Sequence, residues 1–113
     1  MRVLVTDKVR FTELTPALVR IESALLDVAA TRTDPDVIWI TAIQNGKHMP
    51  TSWHYRNAAL DFFTERGVAF VDVESFVADL RLALGPAFTV LHEDAGTPNE
   101  HVHTQVRKGI TYP

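Results

Sequence analysis

Apolar residues recur at helical spacing early in the chain. In TPALVRIESALLDVAA, Leu18, Ile21, Leu25, Val28 and Ala29 fall on one face. Thr15 stands where a cap is needed, and Pro16 suits the first helical position. The pattern fades at TRTDPD, where Pro35 follows an Asp. VIWITAI, Val37 to Ile43, is rich in β-branched residues and predicts a buried strand with Trp39 in the core. QNGKHMPTS predicts a loop, with Asn45-Gly46 as its turn signal. A second helical pattern runs through VESFVADLRLAL, with Asp72 positioned to cap it and Gly85-Pro86 to stop it. FTVLHE, DAGTPN and EHVHTQVR then read as strand, loop and strand, a hairpin.

One segment reads two ways. NAALDFFTERG is made of good helix formers, so propensity alone makes it helical. As a strand, it sends Ala59 and Asp61 to one face and Ala58, Leu60 and Phe62 to the other. A carboxylate on a sheet face among small residues is costly unless it is paired or bound to a cation. The order of elements predicts an α+β fold, with two main helices and a small, mainly antiparallel sheet.

Composition narrows the function classes. At 113 residues, the chain has the length of one domain spanning 1–113. With 46% hydrophobic and 22% charged residues it can form a single core. The net charge of −3 lacks the basic excess that usually accompanies a nucleic-acid surface. Cysteine is absent, which removes disulfides and thiolate metal sites and leaves His and carboxylate as the metal donors. No apolar run is long enough to span a bilayer, and the first residues do not read as a signal peptide. Synthesis in the cytoplasm is therefore expected, and action elsewhere requires release.

The chemistry-bearing residues cluster in two places, TSWHYRNAALDFF and NEHVHTQ. On a strand, His101 and His103 point to the same face. Two imidazoles there, with one more His and one carboxylate from elsewhere, make a mixed donor set suited to zinc, which takes His and Asp in tetrahedral geometry. A His pair on a hairpin is more often simply exposed, so HVH carries little weight alone.

Together the two stretches resemble a known family. Ser52, His54, Asn57, Ala59 and Asp61 stand in the spacing S-x-H-x-x-N-x-A-x-D. This is similar to the S-x-H-x-x-G-x-A-x-D of the zinc D-Ala-D-Ala carboxypeptidases and L-alanyl-D-glutamate endopeptidases. That family's second motif, E-x-x-H, is matched by Glu100 and His103. The resemblance spans roughly residues 37 to 107 and implies a D-Ala-D-Ala carboxypeptidase-like fold with Asp61 on a sheet strand. It also implies Zn²⁺ held by His54, Asp61 and His103, and hydrolysis of peptide bonds in peptidoglycan stem peptides. Glu100 would be the general base. His101 or Gln44 would help to hold the oxyanion. Ser52, Trp53 and Tyr55 would line the substrate groove. A cell-wall peptidase of phage or prophage origin, an endolysin or part of a phage particle, is the setting the resemblance implies.

Two departures bear on activity. Asn57 replaces the usual Gly, a substitution that tolerates positive φ. The Arg that often precedes the first motif is missing, with Gln44 near its place and Lys47 and His48 as substitutes. Strand alternation also puts positions i and i+3 on opposite faces, so Glu100 reaches the metal side only from a loop or bulge. If the strand begins earlier, Glu93 or Asp94 is the better base, or His101 the third ligand. Two rival functions follow from the same residues. One is a catalytically silent module of a larger particle. The other is a His-hydrophobic-His nuclease, with His101-Val102-His103 as its motif and Tyr112 as the downstream tyrosine.

Overall fold

A computed structural model describes residues 1–44 and 58–112. The element order is β1 (Arg2–Val5), α1 (Pro16–Ala29), β2 (Val37–Ala42), β3 (Ala59–Phe63), α2 (Val73–Leu84), β4 (Phe88–Glu93) and β5 (His101–Val106). The five strands form one sheet in the order β1-β2-β3-β5-β4. β1 and β2 are parallel, joined through α1, and the remaining neighbours are antiparallel. Among the described residues the fold is therefore α+β, with two helices and a mixed sheet. Among the described residues, no helix is long and apolar enough to cross a membrane.

The helices form where the apolar spacing predicts. Thr15 Oγ1 accepts from the Leu18 N–H at 3.1 Å and satisfies one of the free donors of the first turn of α1. Asp72 departs from expectation. It occupies the N-cap position of α2 in a left-handed conformation, φ 54°, and its side chain makes no capping bond. Gly85 ends that helix at φ 81°, a region that favours glycine.

Both helices lie on one face of the sheet. Leu18, Ile21 and Leu25 of α1 and Phe76, Val77 and Leu80 of α2 share one core with Ile38, Ile40, Leu60, Phe62, Val90, Val102 and Val106. Phe62 is fully buried, with the rings of Phe76 and Phe70 at 5.6 and 6.5 Å. Burying a side chain of this size contributes about 1.5–3 kcal/mol relative to exposure. This packing decides the ambiguous segment. A strand at Ala59–Phe63 delivers Leu60 and Phe62 to the helices while pairing with β2 and β5, and those tertiary contacts override helix propensity.

Alternation then sorts every strand residue. Ile38 and Ile40 face the helices, so Trp39 lies on the opposite face and is only partly buried, outside the core assigned to it from sequence. Val102, Thr104 and Val106 of β5 are buried, while His101, His103 and Gln105 point the other way. Two carbonyls of β4, the edge strand, are engaged by arginines. Arg81 Nε and Nη2 donate to the Val90 carbonyl at 3.1 and 2.7 Å, and Arg107 Nη2 donates to that of Phe88 at 3.5 Å, which blunts strand addition there.

Candidate functional site

The register of β3 against β5 places Asp61 directly opposite His103. Both project from the face that the helices do not cover. Asp61 Oδ1 lies 2.8 Å from His103 Nδ1, and the two side chains are only 13% and 11% exposed. The other ring nitrogen, Nε2, is 2.6 Å from Gln105 Oε1, one step further along the same face of β5. His103 thus has an acceptor at each nitrogen. A neutral imidazole has only one N–H and leaves the other nitrogen's lone pair facing oxygen. A proton or another cation between Asp61 and His103 removes that conflict.

Burial by itself lowers the pKa of His103. The hydrogen bonds to Asp61 and Gln105 and the charges of Asp61 and Glu93 outweigh it, so the group sits above the ordinary imidazole value. The same buried, electronegative setting that holds a proton there favours a metal cation.

A second pair shares this face. Glu93 is the cross-strand partner of His101, and Glu93 Oε1 lies 3.2 Å from His101 Nε2. His101 Nδ1 donates to the Asn99 carbonyl at 2.7 Å, which fixes the ring. The field of Glu93 reaches His103, so the two pairs belong to one polar surface.

Glu100 is elsewhere. It sits immediately before β5, and its Oε2 lies 2.6 Å from His92 Nε2. His92 is paired in register with Val102, on the helix side of the sheet. β4 and β5 pair in unbroken register from His101 onward, and Glu100, just before the strand, turns to His92 and not to the face of His103. His92 Nδ1 also meets Glu74 Oε1 of α2 at 3.0 Å, and its ring stacks on Phe63. Hydrogen bonding to Glu74 raises the His92 pKa, burial opposes it, and Glu100 adds to the rise. Because the folded state holds this proton more tightly than the unfolded chain, the linked stability is present below about pH 6.5 and is lost as pH climbs through the raised value. Chelator-treated protein should therefore melt at a lower temperature at pH 8 than at pH 6. His92→Gln should flatten part of that slope, and an unchanged slope would remove His92 from the account.

Gln44 follows β2, beyond Ala42, the partner of Asp61, and its N–H donates to the Arg10 carbonyl at 2.7 Å. Ser52, Trp53, His54 and Tyr55, together with Lys47, His48 and Asn57, lie outside the described residues. The predicted ligands Asp61 and His103 are thus brought together, and the predicted base Glu100 is not beside them. Among the described residues, no group of three His, Cys, Asp or Glu side chains is placed to hold a metal. The sequence pointed to no role for Gln105 and left His92 as a surface residue, whereas the His92 side chain is only 14% exposed. Gln105 was visible in principle, since HVHTQ continues the same alternation. The Glu74–His92–Glu100 cluster joins α2, β4 and a loop and has no local signature. No family model, curated protein or solved structure matches this chain.

Proposed function

We propose that the protein is a zinc-dependent peptidase acting on the stem peptides of peptidoglycan, on a D-Ala-D-Ala carboxypeptidase-like fold. The observation that carries this reading is the buried Asp61–His103 pair, with Nδ1 turned to the carboxylate and Nε2 occupied by Gln105. These are two of the three donors named by the S-x-H-x-x-N-x-A-x-D and E-x-x-H spacings. The donor set suits the metal, since a carboxylate and an imidazole nitrogen face each other at 2.8 Å and zinc accepts both. His54 is the third ligand in this reading. Zinc held by Asp61, His103 and His54 would supply Lewis acidity and a bound water acidic near neutral pH.

The chain's own groups divide the remaining work. Glu93, on the face of Asp61 and His103, takes the general-base role first assigned to Glu100, accepting a proton from water and passing it to the leaving amine. Gln44 is the neutral counterpart of the missing Arg at the developing oxyanion, and His101, held by Asn99 and Glu93, reaches that oxyanion only by exchanging its contact with Glu93 for it. A phage or prophage lysin, released to the wall or carried in a particle, is the setting that fits.

One observation favours the second reading, a non-catalytic module of a particle. The Glu of the E-x-x-H spacing is engaged by His92 on the wrong side of the sheet for catalysis. The nuclease alternative has less support. Tyr112 packs edge-on against Phe88 at 5.0 Å, on the helix side, away from His101 and His103. Purified protein should carry about one zinc per chain, the stoichiometry of a single mixed site, and release peptides from peptidoglycan fragments. Zinc without release from several wall chemotypes supports the module, and protein that takes up no zinc ends the peptidase reading.

A further inference from the structure

We propose that the outer edge of β4 carries a binding site for an organic oxyanion, a phosphate or carboxylate attached to an apolar group, gripped between Arg81 and Arg107. The site needs no metal and does not depend on the reading above. A cleft of about 400 Å³ runs along this edge, and both arginines line it. Neither guanidinium has a carboxylate partner among the described residues. That is unexpected in a chain with more acidic than basic residues and a net charge of −3. Two like charges held near each other repel, and an anion placed between them turns that cost into attraction.

The backbone sets both groups in place. Arg81, near the end of α2, donates from Nε and Nη2 to the Val90 carbonyl. Arg107, just after β5, donates from Nε to the Pro86 carbonyl at 2.6 Å and reaches that of Phe88 with Nη2. Nη1 of each arginine makes no hydrogen bond among the described residues and is available to a ligand. Phe88 and Val90 are two residues apart on one strand, so their carbonyls leave the edge on the same side, roughly 7 Å apart at the rise of a strand. The anchored guanidinium groups take up a similar spacing. One oxyanion bridges such a gap, accepting charge-assisted bonds of about 2.8 Å from both sides. Anchoring also removes much of the side-chain entropy that binding would otherwise cost. Leu82 and Leu91 line the same cleft and are 83% and 41% exposed, so an apolar group beside the anion has a surface to cover.

Phenyl phosphate, benzoate and inorganic phosphate are the probes, titrated at fixed ionic strength and followed by calorimetry and amide ¹H–¹⁵N shifts. The two aromatic probes should bind more tightly than inorganic phosphate, with shifts centred on β4, the end of α2 and Arg107. The tighter of the two identifies the headgroup as phosphate or carboxylate. Arg81→Gln and Arg107→Gln should each weaken it roughly 10- to 100-fold, the usual worth of a hydrogen bond to a charged group. Arg107→Lys keeps the charge, loses the planar fork and should recover only part of the affinity. The arginines also hold backbone carbonyls, so Leu82→Ser supplies a variant that leaves both in place. It should weaken the aromatic probes several-fold and leave inorganic phosphate unchanged. No saturable shift at this edge with any probe overturns the proposal, and so does an affinity that neither glutamine variant alters. Aromatic probes that bind no better than inorganic phosphate, or that ignore Leu82→Ser, overturn the assignment of an apolar ligand.

Discussion

Glu93→Gln is expected to lower the turnover of peptidoglycan fragments by roughly two to four orders of magnitude, the size of a general-base contribution, while Glu100→Gln leaves it near wild type. The contrast follows from the two faces of one sheet. Glu93 pairs across the ladder with His101, on the side of Asp61 and His103, whereas Glu100 is bound to His92 among the residues that meet α2. Glutamine preserves the size of each side chain, and in Glu93→Gln it can still accept a hydrogen bond from His101. What it lacks is the capacity to take a proton at catalytic pH. Zinc content should be unchanged in both variants, because neither residue is a proposed ligand. Glu100→Gln should alter stability instead, since it removes one of the two carboxylates that hold the His92 imidazolium. The opposite result, an inert Glu100→Gln and an active Glu93→Gln, would mean that the loop before β5 rearranges when substrate binds and would return the base to Glu100.

Removal of a ligand should have an effect of comparable size on metal and activity together. Asp61→Asn and His103→Gln are each expected to reduce zinc from about one per chain toward background, because a site of three protein donors does not retain zinc well on two. Both changes conserve volume, which matters at positions so little exposed. They also avoid leaving a space beside the surviving partner, although His103→Gln still leaves the Asp61 carboxylate less well compensated, and a buried charge that loses its partner is destabilising. Zinc further sets the sign of the pH response. In the loaded protein, His103 must be deprotonated to ligate, so acidification releases the metal and the melting temperature falls as pH drops. In chelated protein, the raised His92 and His103 values make the imidazolium forms part of the folded state, and the melting temperature falls as pH rises. Chelation should therefore invert the slope between about pH 6 and 8, the range in which imidazole titrates. The same slope with and without chelator would remove zinc from this site.

The two helices, the hairpin strands and β2 were legible because each has a local cause. α1 shows a helical stripe with Thr15 and Pro16 at its start, and α2 ends at a Gly with positive φ. The alternation of HVHTQ already places His101, His103 and Gln105 on a common face. β1 was missed because RVLV is four residues at the sheet edge, paired on one side only, with no turn signal to frame it. Its parallel pairing with β2 makes the sheet mixed where a mainly antiparallel one was expected, although the other three pairings are antiparallel.

Residue types and their periodicity determine which side chains share a strand face, since that parity is a property of the extended backbone. Asp61 and His103 became candidates for one site only through the resemblance of the two motif spacings to a known family, whereas the residue types by themselves exclude thiolate chemistry through the absence of cysteine. They do not determine which strand lies beside which, nor which face the helices cover. Those outcomes depend on where Leu60, Phe62, Val90 and Val102 find a common core with Leu18, Phe76 and Leu80. Once that core forms on one side, Asp61, His103, Gln105, His101 and Glu93 are left together on the other, and Glu100 is carried away to His92. A one-residue difference in parity separates Glu93 from Glu100, and its consequence for the chemistry is visible only when β4 and β5 are paired in register.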